Sequence, residues 1–348
     1  MAAPQTEAAF TPGAIWPDDK GVHINAHGGG LLQHDGVYYW FGEHKVAGPA
    51  GNTAKVGVHV YSSKDLTAWR DDGIALAVAE DPSSDITSGS IIERPKVLYN
   101  EKTRQFVMWF HLELKGQGYK AARAAVAVAD RVIGPYRYLG SFRPNAGVWP
   151  KFVPDEDKVP GSGVLARDFA VGQMARDATL FMDSDGQAYY FHASEENRTM
   201  HISRLTEDYL RPAGEYARMT VNGDDEAPAV FKRKGKYYLI TSGLTGWAPN
   251  AAKSYVADNI LGPWKALGNP VRGTEAQKAT TFGGQSTYAL TLVRNGCERH
   301  ILMFDIWRPK DPIDGRYMWL PVEWEGDKPI VRWRDKWTWQ DLDQLPCE

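Results

Sequence analysis

Three acidic residues and one glutamine stand at the start of apolar, strand-like segments of this chain. Glu93, Asp177 and Glu226 each precede such a segment, and Gln285 holds the same place in a later one. Carboxyl groups brought together without basic partners repel one another, which raises the pKa of at least one of them. A carboxyl group that stays protonated at neutral pH can donate a proton in catalysis. The pattern therefore predicts a catalytic set of acid–base residues.

The segments that must position these residues recur five times along the chain. Each begins with a polar residue, continues as an apolar strand, turns, and returns as an aromatic strand. A unit of several short strands that recurs about every 50 to 85 residues is typical of a propeller blade. The repeats therefore predict an all-β fold, a single five-bladed β-propeller. Its innermost strands should begin near His27, Glu93, Asp177, Glu226 and Gln285 and meet at one mouth of the central channel.

Each acid also has a purely structural interpretation. Glu93 could form an ion pair with Arg94 or Lys96, and Asp177 could pair with Arg176. A single acid is more often structural than catalytic. Three acids at equivalent positions of a repeat favour the catalytic interpretation.

Two other motifs indicate enzyme classes that the rest of the sequence excludes. Residues 27–30 (His-Gly-Gly-Gly) resemble the oxyanion loop of esterases, but the chain contains no Gly-x-Ser-x-Gly elbow. Residues 116–121 resemble a dinucleotide fingerprint, but a Gly-Pro turn follows where a βαβ unit and an acidic residue are required. We therefore predict a strand of small residues over 121–129.

Charge and hydrophobicity exclude two classes of partner. The formal net charge is −3, the isoelectric point is about 6.3, and acidic and basic residues are interspersed. No basic stripe could follow a phosphate backbone, so we expect no nucleic-acid partner. No apolar run approaches the roughly 18 to 20 residues of a membrane span, so we expect no membrane partner.

The two cysteines and the N-terminus bear on the compartment. Cys297 and Cys347 are too few for a disulfide framework and fit no metal motif, so one disulfide and two free thiols are both open. Residues 1–7 have neither a basic n-region nor an apolar h-region. The protein is then either cytoplasmic or a secreted or periplasmic protein whose signal peptide was removed, and we expect the second.

Six motifs lie along the chain, at residues 24–30, 39–45, 93–97, 226–230, 242–247 and 285–287. Together they resemble glycoside hydrolase family 43 and, within it, the exo-β-1,3-galactanase branch. The similarity runs from about Trp16 to Trp339. It implies a five-bladed propeller and an inverting, exo-acting hydrolase that releases galactose from β-1,3-galactan, the main chain of arabinogalactan.

The resemblance also implies a role for each residue of the set. Glu226 matches the general acid of the family, and Asp177 the carboxylate that tunes this acid and orients the sugar. Most members carry an aspartate base on the first blade, but residues 25–27 offer no carboxylate here. Gln285 matches the glutamine that replaces this base in the galactanase branch, and Glu93 matches an additional essential glutamate of that branch.

A further group of residues matches sugar contacts of the family. Ile306 stands where the family more often has an arginine, a departure that affects this part of the sugar site. The implied substrate-binding residues are His27, Glu43, Tyr119, Asn197, Trp247, Asp305 and Trp307.

A glutamine in the place of a base poses a chemical problem. Inverting glycosidases normally use two carboxyl groups roughly 6.5 to 9.5 Å apart with a water between them. A neutral amide is a very weak base, so Gln285 must either react as an imidic tautomer or only position the water. We expect Gln285 to hold the water. Glu93 could accept the proton, directly or through a relay, and the sequence leaves the acceptor open.

Two alternatives to the galactanase activity follow from the same residues. The first is another activity of family 43, an α-L-arabinofuranosidase or a β-D-galactofuranosidase. The second is a non-catalytic propeller that binds glycans, which the missing aspartate base favours.

The resemblance also sets expectations for organisation and cofactors. We expect residues 1–348 to form one catalytic domain, with an N-terminal arm of about 15 residues and no appended carbohydrate-binding module. No cofactor is required; a structural calcium ion at the propeller axis is compatible with the family, although no ligand cluster in the sequence requires it. The partner is an oligo- or polysaccharide, and the sequence gives no indication of the oligomeric state.

Overall fold

The computed structural model describes residues 8–347, which are built almost entirely from β-strands. After β1 (Ala9–Phe10), sixteen strands form four antiparallel sheets of four, and within each sheet the strands follow chain order. The first two sheets are β2 (His27–His34), β3 (Val37–His44), β4 (Gly57–Ser63) and β5 (Arg70–Ala77), and β6 (Ile91–Asn100), β7 (Gln105–Glu113), β8 (Arg123–Ala129) and β9 (Arg137–Phe142). The next two are β10 (Ala178–Met182), β11 (Ala188–Ser194), β12 (Thr199–Leu205) and β13 (Pro212–Met219), and β14 (Glu226–Arg233), β15 (Lys236–Ser242), β16 (Lys253–Ala257) and β17 (Lys265–Gly268).

The last third of the chain forms smaller sheets and most of the helical turns. Its strands are β18 (Val271–Arg272), β19 (Gln285–Arg294), β20 (Cys297–Ile306), β21 (Arg316–Pro321), β22 (Glu323–Glu325), β23 (Lys328–Arg332) and β24 (Trp337–Thr338). The helices are α1 (Val164–Arg167), α2 (Glu275–Thr280) and α3 (Trp339–Asp343), with 3-10 turns at Asp155–Lys158, Thr281–Gly283 and Pro312–Asp314.

The prediction of five blades is wrong, because the structure shows six. The fifth is β19–β20–β21, and a sixth three-stranded sheet is formed by β18, β23 and β22. In this sixth sheet β18 pairs in parallel with β23, although the two are far apart in the chain. Its strands are only two, three and five residues long. The repeat used to count blades therefore could not detect it.

The predicted convergence of strand starts is confirmed. Strands β2, β6, β10, β14 and β19 contact one another in a closed ring, in which β19 returns to β2. His27, Glu226 and Gln285 are the first residues of their strands. Glu93 is the third residue of β6, and Asp177 directly precedes β10. The predicted polar positions thus lie around one axis.

Large aromatic side chains fill the space between the last blades and the first. Trp40 of β3 lies 4.8 Å from Trp319 of β21, measured between ring centroids, and 4.5 Å from Tyr317. All three rings are fully buried. Burial of such rings stabilises the folded state by about 25 cal/mol for each Å² of apolar surface removed from water. Strand β8 confirms the strand predicted over 121–129, since its small residues pack between neighbouring strands.

Both ends of the described chain are tied to the propeller. β1 pairs with β24, so residues near the two termini share one short sheet. Cys297 and Cys347 form a disulfide, which settles the choice that the sequence left open. The domain limits 1–348 and the N-terminal arm stay predictions, since residues 1–7 and 348 lie outside the described part. Within the described residues, no helix has the length and apolar character that crossing a membrane requires.

Candidate active site

The strands that carry the two central glutamates bulge directly after them. The pairing register of β6 shifts after Glu93, and that of β14 shifts after Glu226. The following residues, Arg94 and Ala227, have positive φ values of 55° and 53°. A proline comes next in both segments, which a bulge tolerates because the ladder is interrupted there. A bulge also redirects side chains, and both glutamates face the mouth of the ring.

A third bulge in β2 brings the backbone close to Glu43. The register shifts after His27, and Gly28 has a φ of 57°. A Cβ atom at Gly28 would lie 2.1 Å from Glu43 Oε1. Glycine is therefore required here for its backbone conformation and for the close approach. The same oxygen of Glu43 accepts a hydrogen bond of 2.9 Å from the backbone N–H of Arg94.

A cavity of about 210 Å³ opens at the mouth of the ring. Every one of the five sheets with an innermost strand contributes to its wall. Nine of the eleven predicted site residues line it: Glu43, Glu93, Tyr119, Asp177, Asn197, Glu226, Trp247, Gln285 and Trp307. The structure adds Arg94, Leu244 and Gly246 to the lining.

Glu226 is a carboxyl group of this cavity that holds a proton at neutral pH. Burial raises its pKa to about 8, and the negative charge of Asp177 adds to the rise. Arg94 and a hydrogen bond from Asn197 act in the opposite direction without reversing the shift. Asn197 Nδ2 donates to Glu226 Oε1 at 2.7 Å. The arrangement fits a general acid.

Glu93 has the opposite electrostatic environment. Burial alone would raise its pKa, but hydrogen bonds and the charge of His111 lower it well below the usual range. Its Oε1 accepts from Asn52 at 2.9 Å and from Tyr119 at 2.7 Å, and its Oε2 lies 3.0 Å from His111 Nδ1. Both oxygens of the Glu93 carboxylate thus already face hydrogen-bond donors, which makes Glu93 a poor proton acceptor.

His111 is held between two carboxylates. Its Nε2 lies 2.9 Å from Glu113 Oε1, while its Nδ1 faces Glu93. Burial alone would lower the pKa of His111, but the hydrogen bonds that it donates to Glu113 and Glu93 raise it to about 9. At neutral pH the imidazole therefore carries a proton on each nitrogen.

Arg94 joins Asp177 to Gln285. One guanidinium nitrogen, Nη2, donates to Asp177 Oδ2 and to Gln285 Oε1, each at 2.7 Å. Trp307 Nε1 donates to the same oxygen of Gln285 at 2.7 Å. The amide nitrogen of Gln285 donates to Ser242 Oγ at 2.9 Å. Asp177 thus pairs with Arg94 and not with Arg176, the partner that the sequence suggested.

Glu43 has a cationic neighbour on the wall of the cavity. Its Oε2 forms an ion pair with Lys45, which also donates to Asn52. Burial raises the pKa of Glu43, and Lys45 opposes that shift. Glu43 and Asn197, predicted to bind sugar hydroxyls, both face the cavity.

Two predicted sugar contacts do not reach the surface of the cavity. His27 is fully buried, and its ring packs 5.3 Å from that of Tyr317, measured between centroids. Asp305 is also buried, and its Oδ1 accepts from the backbone N–H of Gly28 at 3.1 Å. Both side chains are directed into the packed interior around the start of β2, where they support the strand that approaches Glu43.

Aromatic side chains form one wall of the cavity. The rings of Trp247 and Trp307 meet edge to face, with 5.4 Å between centroids. Trp247 is 39% exposed, so part of its face is open to a ligand. The guanidinium of Arg94 lies 5.4 Å from the Trp307 ring. Residue 306, next to Trp307 in the chain, is isoleucine where an arginine was expected. The guanidinium that lies beside Trp307 is that of Arg94, from the second blade.

The cluster of possible metal ligands beside the cavity does not suit a calcium ion. Glu93, His111 and Asp177 present ligand atoms within 4.8 Å of one another. Calcium takes six to eight oxygen ligands. Both nitrogens of His111 face carboxylates, and Asp177 pairs with Arg94. These residues form a hydrogen-bond network in which the side chains of His111 and Arg94 already supply the positive charge.

Sequence analysis did not name Arg94, His111, Leu244 or Gly246 as site residues. Arg94 was considered only as an ion-pair partner for Glu93, its neighbour in the chain. Its position in the Glu-Arg-Pro segment, at the positive φ of a bulge, is the signal that could have revealed a special role. His111 pairs with Glu93 across two adjacent strands, and a predicted register could have found it.

Comparison with known proteins places these features in a family. A family model described as glycosyl hydrolases family 43 matches residues 30–292. The chain is also 32% identical over 134 residues to a β-D-galactofuranosidase of Aspergillus niger, which covers 36% of this chain and 38% of that protein. The match thus spans little more than a third of this relative.

Solved structures agree over nearly the whole chain. One is a GH43 β-1,3-galactosidase with galactodeoxynojirimycin, 47% identical with a TM-score of 0.90, covering 95% of this chain and 100% of that chain. Another is an exo-β-1,3-galactanase from Clostridium thermocellum, 34% identical with a TM-score of 0.81, covering 95% of this chain and 66% of that chain.

Proposed function

The chain belongs to glycosyl hydrolase family 43, and we propose that it is an inverting, exo-acting glycoside hydrolase that releases galactose from β-1,3-galactan. The observation that carries this proposal is the raised pKa of Glu226, about 8, in a cavity whose wall also carries Asp177 and Gln285. A carboxyl group kept protonated at neutral pH is typical of the general acid of a glycosidase.

The size of the cavity supports exo action. Its volume of about 210 Å³ suits one terminal sugar ring. The exposed face of Trp247 at the rim offers a surface for the next sugar.

Glu226, Gln285 and Asp177 have different roles in the hydrolysis. Glu226 donates its proton to the glycosidic oxygen, which allows the rest of the galactan to leave. Gln285 holds a water molecule that attacks the anomeric carbon from the opposite side. Asp177 orients the sugar and keeps the pKa of Glu226 high through its charge. Proton donation to a poor leaving group contributes about 10²- to 10⁴-fold in rate.

The linkage and the sugar are supported by the relatives. The solved structures with at least 34% identity cited above are named as a β-1,3-galactosidase and an exo-β-1,3-galactanase. The curated β-D-galactofuranosidase matches over a shorter part of the chain. A β-1,3-linked galactopyranosyl chain is therefore the substrate we propose.

Product analysis on β-1,3-galactan tests the proposal. Galactose should be the first product, and NMR of the first-formed sugar should show the α-anomer. Aryl β-galactopyranoside, β-galactofuranoside and α-arabinofuranoside are compared side by side. Faster hydrolysis of either furanoside would contradict the galactanase assignment, and binding without any hydrolysis would contradict the enzyme assignment.

The disulfide supports a secreted or periplasmic location for this enzyme. Cys297 and Cys347 are bonded, and disulfides persist mainly in oxidising compartments. A polysaccharide substrate too large to enter a cell agrees with this location. Cell fractionation with labelling of free thiols tests it, because a cytoplasmic protein with two reactive cysteines would contradict it.

A further inference from the structure

We propose that Arg94 is a positioning residue that locks Gln285 in its amide form, so that Gln285 offers an N–H to the attacking water and does not take the water's proton. This inference rests on the proposed function only for the identity of the reaction. The lock itself is a property of the protein without substrate.

The hydrogen bonds fix the orientation of the Gln285 amide. Arg94 Nη2 and Trp307 Nε1 are donors that cannot accept, and both lie 2.7 Å from the same atom. That atom must be the oxygen, since a flipped amide would place an NH₂ group against two donors. The nitrogen then faces Ser242 Oγ, which can accept from it at 2.9 Å.

The same bonds oppose the imidic tautomer. This tautomer carries a hydrogen on the oxygen and one fewer on the nitrogen. The two lone pairs of Gln285 Oε1 already receive Arg94 and Trp307, so an added hydrogen would displace one of them. The guanidinium charge also opposes any added positive charge on the amide. Gln285 therefore stays a neutral amide throughout the reaction.

The second hydrogen on Gln285 Nε2 is free to bind the water. Among the described residues, only Ser242 accepts a hydrogen bond from this nitrogen. Gln285 lines the cavity, so the remaining N–H can hold the water's oxygen in place. The other lone pair of the water is then available for attack on the anomeric carbon.

Asp177 is available to take the proton that the water loses. Arg94 joins its carboxylate to Gln285 through Oδ2. Among the described residues, none donates a hydrogen bond to Asp177 Oδ1. The three donors on Glu93 leave that carboxylate less suited to the task. In the balanced step, the water's oxygen bonds to the anomeric carbon while the glycosidic C–O bond breaks. One proton of the water moves to Asp177, and the leaving oxygen takes the proton of Glu226.

NMR of the glutamine side chains tests the lock directly. The protein is labelled with ¹⁵N in its glutamine amides, and the Gln285 signal is the one that disappears in Gln285→Glu. We expect Nε2 of Gln285 to show two attached protons, both in the free protein and with galactodeoxynojirimycin bound. A single attached proton in either state would overturn the proposal. This readout does not depend on hydrolysis, so it separates failure of the lock from failure of the proposed function.

Arg94→Lys tests the positioning role. Lysine places one point charge and cannot reproduce the planar bridge. We expect the Gln285 amide signals to shift and kcat to fall about 10²-fold, the scale of a misplaced reacting group, with little change in KM. Arg176→Lys is the matched control, since Arg176 contacts Tyr119 O but not Gln285, and it should leave those signals in place. Unchanged Gln285 signals in Arg94→Lys would contradict the proposal.

A second variant keeps the test decisive if Arg94→Lys does not fold. Trp307→Phe removes the other donor to Gln285 Oε1 and preserves an aromatic ring. The Gln285 amide signals should again shift, and kcat should fall more than KM changes. Signals that match the wild type would overturn the proposed lock.

Discussion

Glu93 in β6 and Glu226 in β14 occupy matching places in two blades. Each stands at a bulge, each is followed by a residue of positive φ and then by proline, and both side chains line the same cavity. Their protonation is nevertheless opposite. The pKa of Glu93 is far below its usual range, whereas that of Glu226 is raised to about 8.

The difference comes from what faces each carboxylate across the cavity. Glu93 receives three donors, one of which is the protonated His111. Glu226 receives one neutral donor, Asn197, and feels the negative charge of Asp177. The two glutamates thus stand on backbone of similar conformation, and the side chains from neighbouring blades decide which one carries a proton. The predictions below are tests of this contrast.

The largest effect is expected from Glu226→Gln. An amide cannot donate the proton that Glu226 supplies, so hydrolysis of β-1,3-galactan should fall by about 10²- to 10⁴-fold. An aryl galactoside with a good leaving group needs less protonation and should lose much less. Initial rates on the two substrates measure this difference.

Glu93→Gln provides the contrast to that experiment. Glu93 donates no proton to the leaving group, so its loss should reduce the rates on both substrates by a similar factor. Glu215→Gln, on the outer strand β13, is the control for folding and should resemble the wild type. Equal losses on both substrates in Glu226→Gln would show that Glu226 is not the acid.

His111→Leu should make Glu93 more like Glu226. Without the imidazolium, the pKa of Glu93 rises, and the acidic limb of the pH–rate profile should move to higher pH. Losing a charge-assisted hydrogen bond should lower kcat/KM by about 10- to 100-fold. His111→Asn retains a neutral donor, so its acidic limb should lie between those of His111→Leu and the wild type. An acidic limb that stays in place in His111→Leu would contradict the assigned role of His111.

Asp177→Asn should lower the pKa of Glu226. It removes the negative charge that helps keep Glu226 protonated and frees the Arg94 charge, and both changes favour the ionised form. The basic limb of the wild-type profile should lie near pH 8, and in Asp177→Asn it should move to lower pH. Both profiles are measured on β-1,3-galactan, whose hydrolysis needs the proton of Glu226. A basic limb that moves upward would refute the proposed electrostatic coupling.

The smallest expected effect is on stability. Glu226 binds its proton more tightly in the folded protein, with a pKa near 8, than in the unfolded chain, where it is about 4.5. The unfolded state therefore loses this proton first, and stability falls as the pH rises from 4.5 to 8. Glu226→Gln removes that loss and should be more stable than the wild type above pH 8 by roughly 1 to 4 kcal/mol.

Denaturant unfolding at pH 5 and pH 8.5 measures this change. The advantage of Glu226→Gln should be small at pH 5 and larger at pH 8.5. For Glu93 the sign is reversed, because its lowered pKa adds stability above the unfolded value that is lost as the pH falls. Equal pH dependence in the two Gln variants would remove the contrast between the two carboxyl groups.

Much of the site could be predicted because its signals are local. The polar residues before apolar segments and the turn residues between strands are short patterns that mark strand starts. These patterns gave four of the nine predicted residues on the cavity wall, Glu93, Asp177, Glu226 and Gln285, and the family resemblance gave the other five. The burial of His27 and Asp305 could not be read from them, because it depends on how β2 packs against β20.

The sixth blade shows the same limit at the level of the fold. Its strand β18 precedes the fifth blade in the chain, yet it pairs with β23 after that blade. No repeat in the sequence marks a pairing of short segments about 60 residues apart. The disulfide is a similar case, because the proximity of Cys297 and Cys347 follows from the return of the chain end to β20.

The sequence by itself determined the all-β repeat, the polar strand starts and the types of side chain that meet at the channel, since each depends on residues close together in the chain. Only the tertiary structure decided the number of blades, the bridge from Arg94 to Asp177 and Gln285, and which glutamate keeps a proton. Pairing of distant strands and pKa values depend on groups that are near in space, and those neighbours come from different blades.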